Sequence, residues 1–461
     1  MESSAISQIV QQQREYFKTG ATRDMSFRIR QLHLLQDAIH ANEESIVQAL
    51  KADLNKPRLE AYSSEVGLLL AETRYALQHI KSWSRPRRMP MHLLQFPSSV
   101  WLYPEPYGVT LIIAPWNYPF LLLIAPLVGA IAAGNCAILK PSEVAPSMSA
   151  VTARIVQQTF DPRFVCAVEG GPESAQALLD QKLDYIFYTG SNAVGKIIMQ
   201  AAAKNLTPLT LELGGKSPVI VDAEVDVDQA ARRVAWGKFF NAGQICLAPD
   251  YVLVDRRIKP AFVQALQKHV RDFYPDGALD SPDYCRIINQ AQFERLTQLL
   301  PRSEQEGRVV IGGKFDAAAR YIAPTVIDDV PPEAASMQEE IFGPLLPVMA
   351  YDTLDEAIAF VNDRPKPLAL YFFSNNKRHQ ERILRETSSG GGCINDTILH
   401  FSSPLLPFGG VGESGMGTYR GEASFDTFSH HKAFIKKSFL FDIWFRYAPY
   451  KNNHKILKWI M

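Results

Sequence analysis

Cys246 closes the run Phe239-Phe240-Asn241-Ala242-Gly243-Gln244-Ile245-Cys246, and Glu212 lies upstream in Leu211-Glu212-Leu213-Gly214-Gly215-Lys216-Ser217-Pro218. A thiol and a carboxylate, each in a glycine-bearing stretch with few charges, are the parts needed for covalent chemistry on a carbonyl. The sulfur supplies the nucleophile, and the carboxylate can activate the water that later releases the product. A cysteine beside glycine is on its own weak evidence, because free cysteine is usually a small core residue.

Other stretches add parts, each with a plainer alternative. Pro115-Trp116-Asn117-Tyr118-Pro119 follows a strand-like run, and its two prolines hold the backbone around Asn117. A rigid side-chain amide in an apolar setting makes a good oxyanion donor, although an asparagine can equally satisfy its own turn. Lys140-Pro141-Ser142-Glu143 also follows a strand, at the kind of sheet edge where α/β proteins bind ligands, and could hold ribose hydroxyls or form a surface turn. Leu183 to Lys196 reads as strand, glycine turn and helix, which favours a phosphate at the helix start. It is not the G-x-G-x-x-G pattern: Gly190 and Gly195 are present without a middle glycine, and a plain tight turn explains it as well. Glu339-Glu340-Ile341-Phe342-Gly343-Pro344 sets a carboxylate and a ring beside a forced turn, suited to a sugar hydroxyl and a planar heterocycle, or else to a solvated acid pair before a core ring.

These groups need a framework. The chain has 461 residues, too many for one typical core, with 47% apolar and 21% charged residues, as in ordinary globular proteins. A formal net charge of zero argues against general nucleic-acid binding. Five cysteines without a C-x-x-C argue for a reducing compartment, and no apolar stretch follows a basic start. No metal ligand set is expected. From Val109 to Leu139 there is no charge, but Pro115, Asn117, Pro119, Pro126, Gly134 and Asn135 break the run. It reads as a buried strand, a turn, a buried helix over 121–133 and a second strand, not as a membrane span. Upstream, Met25, Ile29, Leu32, Leu35 and Ile39 recur at helical spacing, and helices extend to about Trp83. Strands are expected at Val109–Ile113, Ala137–Leu139 and Tyr185–Tyr188, alternating with helices at 121–133, 147–160 and 193–204. The pattern restarts with strands at Val219–Val221 and Tyr251–Val254 and helices at Val227–Phe240 and Pro260–Phe273, so a second α/β domain begins near residue 213. Glycines cluster from Gly409 to Gly417, suggesting that the chain crosses back. From Lys432 to Met461 there are seven Lys or Arg, one acid (Asp442) and many interleaved aromatic and aliphatic residues, among them Phe439, Leu440, Phe441, Ile443, Trp444, Ile456, Leu457, Trp459 and Ile460. This could be an anchor for an anionic membrane surface or a tail packed on the body or a partner subunit; it is too short and too charged to span a bilayer.

Taken together, the order and spacing of these motifs, with Tyr188-Thr189-Gly190-Ser191, Ala248-Pro249-Asp250-Tyr251 after the cysteine and Pro407-Phe408-Gly409-Gly410, resemble the aldehyde dehydrogenase superfamily from about residue 20 to 435, and most closely its class 3 branch, which includes fatty aldehyde dehydrogenases. The resemblance implies an α/β fold with a Rossmann-type cofactor domain (1–87 and 107–212), an α/β catalytic domain (213–413), a small oligomerisation element (88–106 and 414–445) and a C-terminal tail (446–461). It implies that Cys246 is the nucleophile, that Asn117 and the Cys246 N–H hold the oxyanion, and that Glu212 activates the hydrolytic water. Lys140 and Glu143 would meet the adenosine ribose, Gly190, Ser191 and Gly195 the pyrophosphate, Glu340 the nicotinamide ribose and Phe342 the nicotinamide. NAD is the expected cofactor, since Glu143 would repel a 2′-phosphate, with NADP also accepted by class 3 members. Tyr118, His400, Phe401 and Trp236 are candidates to shape a substrate funnel, with core packing as the alternative for Trp236. The expected substrates are hydrophobic aldehydes, the expected assembly a homodimer, and the expected location cytoplasmic, with membrane contact or packing left open for the tail. Rival readings are a coenzyme A-acylating dehydrogenase, against which Glu212 argues; a cysteine-dependent hydrolase, which lacks a histidine in a recognisable context; and a non-catalytic structural protein.

Overall fold

The computed structural model describes residues 3–92, 95–301, 306–442, 444–450, 454–455 and 458. The N-terminal segment is helical up to Trp83. In its helix Met25–Ala41 the expected apolar stripe faces inward: Leu32, Leu35 and Ile39 are buried, with Met25 and Ile29 partly so. Asp24 caps that helix, its carboxylate accepting from the Ser26 and Phe27 N–H groups.

The alternation of apolar runs builds two sheets. The first has six strands in the order Gly415–Met416, Leu209–Leu213, Tyr185–Gly190, Val109–Ile113, Cys136–Lys140 and Val165–Ala167. All neighbours are parallel except the Gly415–Met416 pairing. The chain starts at Val109–Ile113, steps outward on one side, and then returns to build the other side from Tyr185–Gly190. Strand order therefore reverses beside Val109–Ile113, the place where α/β sheets bind ligands beyond the strand carboxyl ends. Those ends lead directly into Trp116-Asn117, Lys140-Pro141-Ser142-Glu143, Gly190-Ser191 and Gly214-Gly215.

Both faces of this sheet are covered, so Val109–Ile113 and Cys136–Lys140 are buried throughout. Between them the helix Leu121–Ala133 is buried at every position. That burial explains the uncharged stretch; among the described residues no helix is long and apolar enough to cross a membrane.

The second sheet has seven strands, in the order Arg308–Ile311, Thr325–Asp328, Leu345–Tyr351, Tyr251–Asp255, Pro218–Val221, Ala369–Phe373 and Gly391–Ile394, parallel except for the Arg308–Ile311 edge. The passage from Leu213 to Pro218 joins the two sheets. A third, antiparallel sheet pairs Arg87–Met89 with Ser98–Pro106, and Ser98–Pro106 with Ser429–Lys437. The range 414–445 is thus divided: Gly415–Met416 edges the first sheet, while Ser429–Lys437 belongs to the third. Lys432, Lys436 and Lys437 lie in that strand, and Lys436 sits 5.4 Å from both the Trp101 and Tyr103 ring centres. Beyond it Phe439, Leu440 and Trp444 are exposed. Ile443, Lys451, Ile456, Leu457, Trp459 and Ile460 lie outside the described residues.

Candidate active site

Cys246 follows a turn in which Asn241, Ala242 and Gly243 take φ of 51°, 50° and 73° in succession. Such conformations cost energy for any residue with a Cβ and tend to mark positions that the surrounding structure holds in place. At Gly243 a Cβ would lie 2.3 Å from the carbonyl oxygen of Gly343. The absence of a side chain lets the cysteine loop meet the Glu340–Pro344 loop backbone to backbone.

Cys246 and Glu212 line one cavity of about 80 Å³, with Tyr118, Phe401, Phe408 and Tyr419 among its walls. Glu212, on the strand Leu209–Leu213, is 3% exposed, and neither carboxyl oxygen has a hydrogen-bond partner among the described residues. Burial pushes its pKa well above the ordinary carboxylate range. Burial also raises the Cys246 thiol, followed by the nearby Glu340 and Glu212 carboxyls, while the N–H groups of Cys246 and Leu247 pull it down. Both groups therefore hold their protons tightly in this state.

Asn117 is buried in the turn after Val109–Ile113, and its Nδ2 donates to the carbonyl oxygen of Gln244 at 3.0 Å, two residues before the thiol. Its Oδ1 has no partner among the described residues. Tyr118 and Phe401 stand in the cavity wall. His400 stands behind it: its Nδ1 is 3.5 Å from Cys393 Sγ, its ring packs near Tyr371 and Phe408, and burial lowers its pKa to about 4. Among the described residues no histidine lines the cavity around Cys246. Trp236 is 37% exposed and packs on Phe240, a wall residue, rather than in the core.

Two wall residues, Phe408 and Tyr419, are not singled out by the sequence. Phe408 lies in Pro407-Phe408-Gly409-Gly410, where the glycines carry the signal. Tyr419 has no local signal, because it arrives with the crossing-back segment.

The residues expected at a dinucleotide gather at the carboxyl ends of the first sheet. Lys140 is buried, its Nζ 3.1 Å from Glu143 Oε2, and the Glu143 side chain is 44% exposed. Ser191 caps the helix Asn192–Ala203, from which Val194 and Ile197 present apolar surface. Glu340 is pushed up to about 8 by burial and by Asp250, against the Gly215 N–H, Lys216 and Arg295. A Cβ on Gly214 would sit 1.9 Å from Glu340 Oε2, so that glycine admits the carboxyl. Phe342 meets Trp116 edge-on at 5.3 Å. Lys238 Nζ is buried without a partner among the described residues, and burial lowers its pKa to about 8. An orphaned buried amino group within the electrostatic reach of the Glu340 carboxyl fits a polar ligand at this edge.

The chain matches the sequence model described as the aldehyde dehydrogenase family over residues 1–434. It is 48% identical over 453 residues to the 4,4'-diaponeurosporen-aldehyde dehydrogenase of Staphylococcus aureus, covering 98% of each chain. It is 48% identical over 437 residues to the Rattus norvegicus protein named aldehyde dehydrogenase, dimeric NADP-preferring, covering 95% of this chain and 96% of that one. Among solved structures, it superposes with a TM-score of 0.95 on the substrate-bound state of Staphylococcus aureus AldH, at 48% identity over 98% of each chain.

Proposed function

Because this chain belongs to the aldehyde dehydrogenase family, we propose that it oxidises hydrophobic aldehydes (medium or long aliphatic, aromatic or isoprenoid-type) to carboxylic acids through a thioester on Cys246. The observation that carries this reading is the shared, largely apolar cavity that holds both the thiol and an unpartnered carboxyl.

Deprotonated Cys246 attacks the aldehyde carbon, a C–S bond forms, and the carbonyl oxygen becomes an oxyanion held by the Asn117 amide and the Cys246 N–H. A bound NAD(P) would supply the hydride acceptor for that carbon, and loss of the hydride would leave a thioester on Cys246. Glu212, once ionised, takes a proton from water as the water attacks the thioester. The C–S bond then breaks, and the carboxylic acid leaves with the cysteine restored.

Lys140, Glu143, Gly190, Ser191, Gly195, Glu340 and Phe342 hold the dinucleotide. The half-exposed Glu143 carboxylate favours NAD by repelling a 2′-phosphate. NADP is accepted as well, which is consistent with the relative named as NADP-preferring. Tyr118 and Phe401 contact the aldehyde. Leu399, Leu405 and Leu406, exposed on the segment carrying Phe401 and Phe408, extend its apolar path outward. Two chains pair through the three-stranded sheet, where Phe434 and Ile435 are each 51% exposed, and a relative of this length is named as dimeric. The protein works in the cytoplasm, and its basic, aromatic C-terminal segment touches anionic membrane surfaces.

The test is a series of aldehydes of graded length with NAD and NADP in parallel. KM falls as the chain grows, by about 0.8 kcal/mol for each CH₂ buried. Equal KM values for acetaldehyde and decanal would contradict the hydrophobic preference.

A further inference from the structure

The loop that carries Asn117 is held by a buried ion pair to which the reaction scheme gives no part. Lys56 and Glu65 both have fully buried side chains, with Lys56 Nζ 2.7 Å from Glu65 Oε1. An ammonium has three N–H donors, and here each has a partner. The second reaches the main-chain carbonyl oxygen of Asn117 at 3.1 Å, and the third faces the Tyr118 ring, 4.0 Å from its centre. Glu65 turns its other oxygen to the N–H groups of Phe120 and Leu121 at 3.0 and 3.2 Å, where the helix Leu121–Ala133 begins. One ion pair thus grips the segment at Asn117 and again three and four residues on.

A second donor meets the same carbonyl. Asn241 Nδ2 lies 3.2 Å from the Asn117 oxygen and 3.1 Å from that of Gln244, while the Asn241 N–H donates to Glu60 Oε2 at 2.9 Å. Both lone pairs of the Asn117 carbonyl are therefore engaged, and the Asn117 amide itself donates to Gln244. A buried ion pair adds little net stability compared with well-packed apolar residues, so its best-supported use is to impose one conformation.

We propose that Lys56 and Asn241 are positioning residues that clamp the Asn117 carbonyl and so aim the Asn117 amide at the oxyanion formed on Cys246. This rests on the reading of Asn117 as an oxyanion donor, and the test separates the two. Acylation of Cys246 by p-nitrophenyl acetate passes through a tetrahedral oxyanion and releases nitrophenolate. Alkylation of the same sulfur by iodoacetamide displaces iodide and forms no oxyanion. In Lys56→Met the acylation rate falls by about tenfold or more, as for loss of oxyanion support, while alkylation and the KM for NAD stay at the parent values. Combined with Asn117→Ala, Lys56→Met causes no further loss.

If Asn117→Ala slows acylation and Lys56→Met does not, the clamp is refuted and the oxyanion reading stands. If Lys56→Met slows acylation and alkylation alike, its role is general packing and the proposal is overturned. If Asn117→Ala acylates at the parent rate, the oxyanion reading fails and the clamp fails with it. Should Lys56→Met not be recovered folded, Asn241→Gly, which keeps the left-handed backbone and unpairs no buried charge, takes its place: slowed acylation with parent-rate alkylation supports the clamp, and any other pattern overturns it.

Discussion

Glu212 and Cys246 share a cavity whose burial raises both pKa values, whereas the proposed mechanism uses both groups deprotonated. The sign of the pH response follows. Burial raises the Glu212 pKa, so its basic form is reached at higher pH than for an ordinary carboxylate and gains population as pH rises. Steady-state turnover therefore rises with pH, with its midpoint above that of an ordinary carboxylate. In Glu212→Gln the thioester still forms, but its hydrolysis slows by about 10²–10⁴-fold and loses that pH dependence. Rapid mixing separates the two steps, because the first turnover of NADH formation reports Cys246 and the later steady rate reports Glu212. A Glu212→Gln steady rate that still climbed with pH like the parent would show that another base releases the acid. At this scale the sequence was legible in placement: the thiol and the carboxyl line one pocket, and the Asn117 amide is bonded to the main chain two residues before the thiol. His400 was harder to read, because its neighbour Phe401 faces the cavity while the histidine turns back toward Cys393.

Elements of both larger sheets bring these residues together: strand ends of the first supply Asn117 and Glu212, and the turn after Val227–Phe239 supplies Cys246. The strands and helices were legible because uncharged runs broken by proline and glycine mark buried segments; the helix read over 121–133 is found at Leu121–Ala133. The contacts between elements were not. Nothing in the sequence around Lys56 or Glu65 points to Asn117, because the ion pair exists only once the N-terminal helices pack on the first sheet. The approach of Gly214 to Glu340 is of the same kind, joining the end of one sheet's strand to a loop from the other. Gly214→Ala puts a methyl where the Glu340 carboxyl now lies, so the carboxyl must move. The KM for NAD rises about tenfold, the equivalent of about 1.4 kcal/mol, while iodoacetamide still alkylates Cys246 at the parent rate. An unchanged KM would remove Glu340 from the cofactor site.

On the scale of the whole molecule, the cavity lies with the two larger sheets, while Phe439, Leu440 and Trp444 beyond the antiparallel third sheet are exposed. A chain ending at Lys437 keeps the strand Ser429–Lys437. Its turnover of short aldehydes stays at the parent level, whereas cosedimentation with anionic vesicles or the KM for decanal changes. If neither moves, the terminal segment has no part in substrate choice or membrane contact. The proposed reaction turns on a covalent bond between substrate and the Cys246 sulfur. Glu212→Gln mixed with NAD and decanal, digested and weighed by mass spectrometry, tests this most directly. The peptide containing Cys246 gains the mass of one decanoyl group, and hydroxylamine removes it. If NADH forms while that peptide stays unmodified, or if Cys246→Ser oxidises decanal at the parent rate, the covalent scheme is wrong.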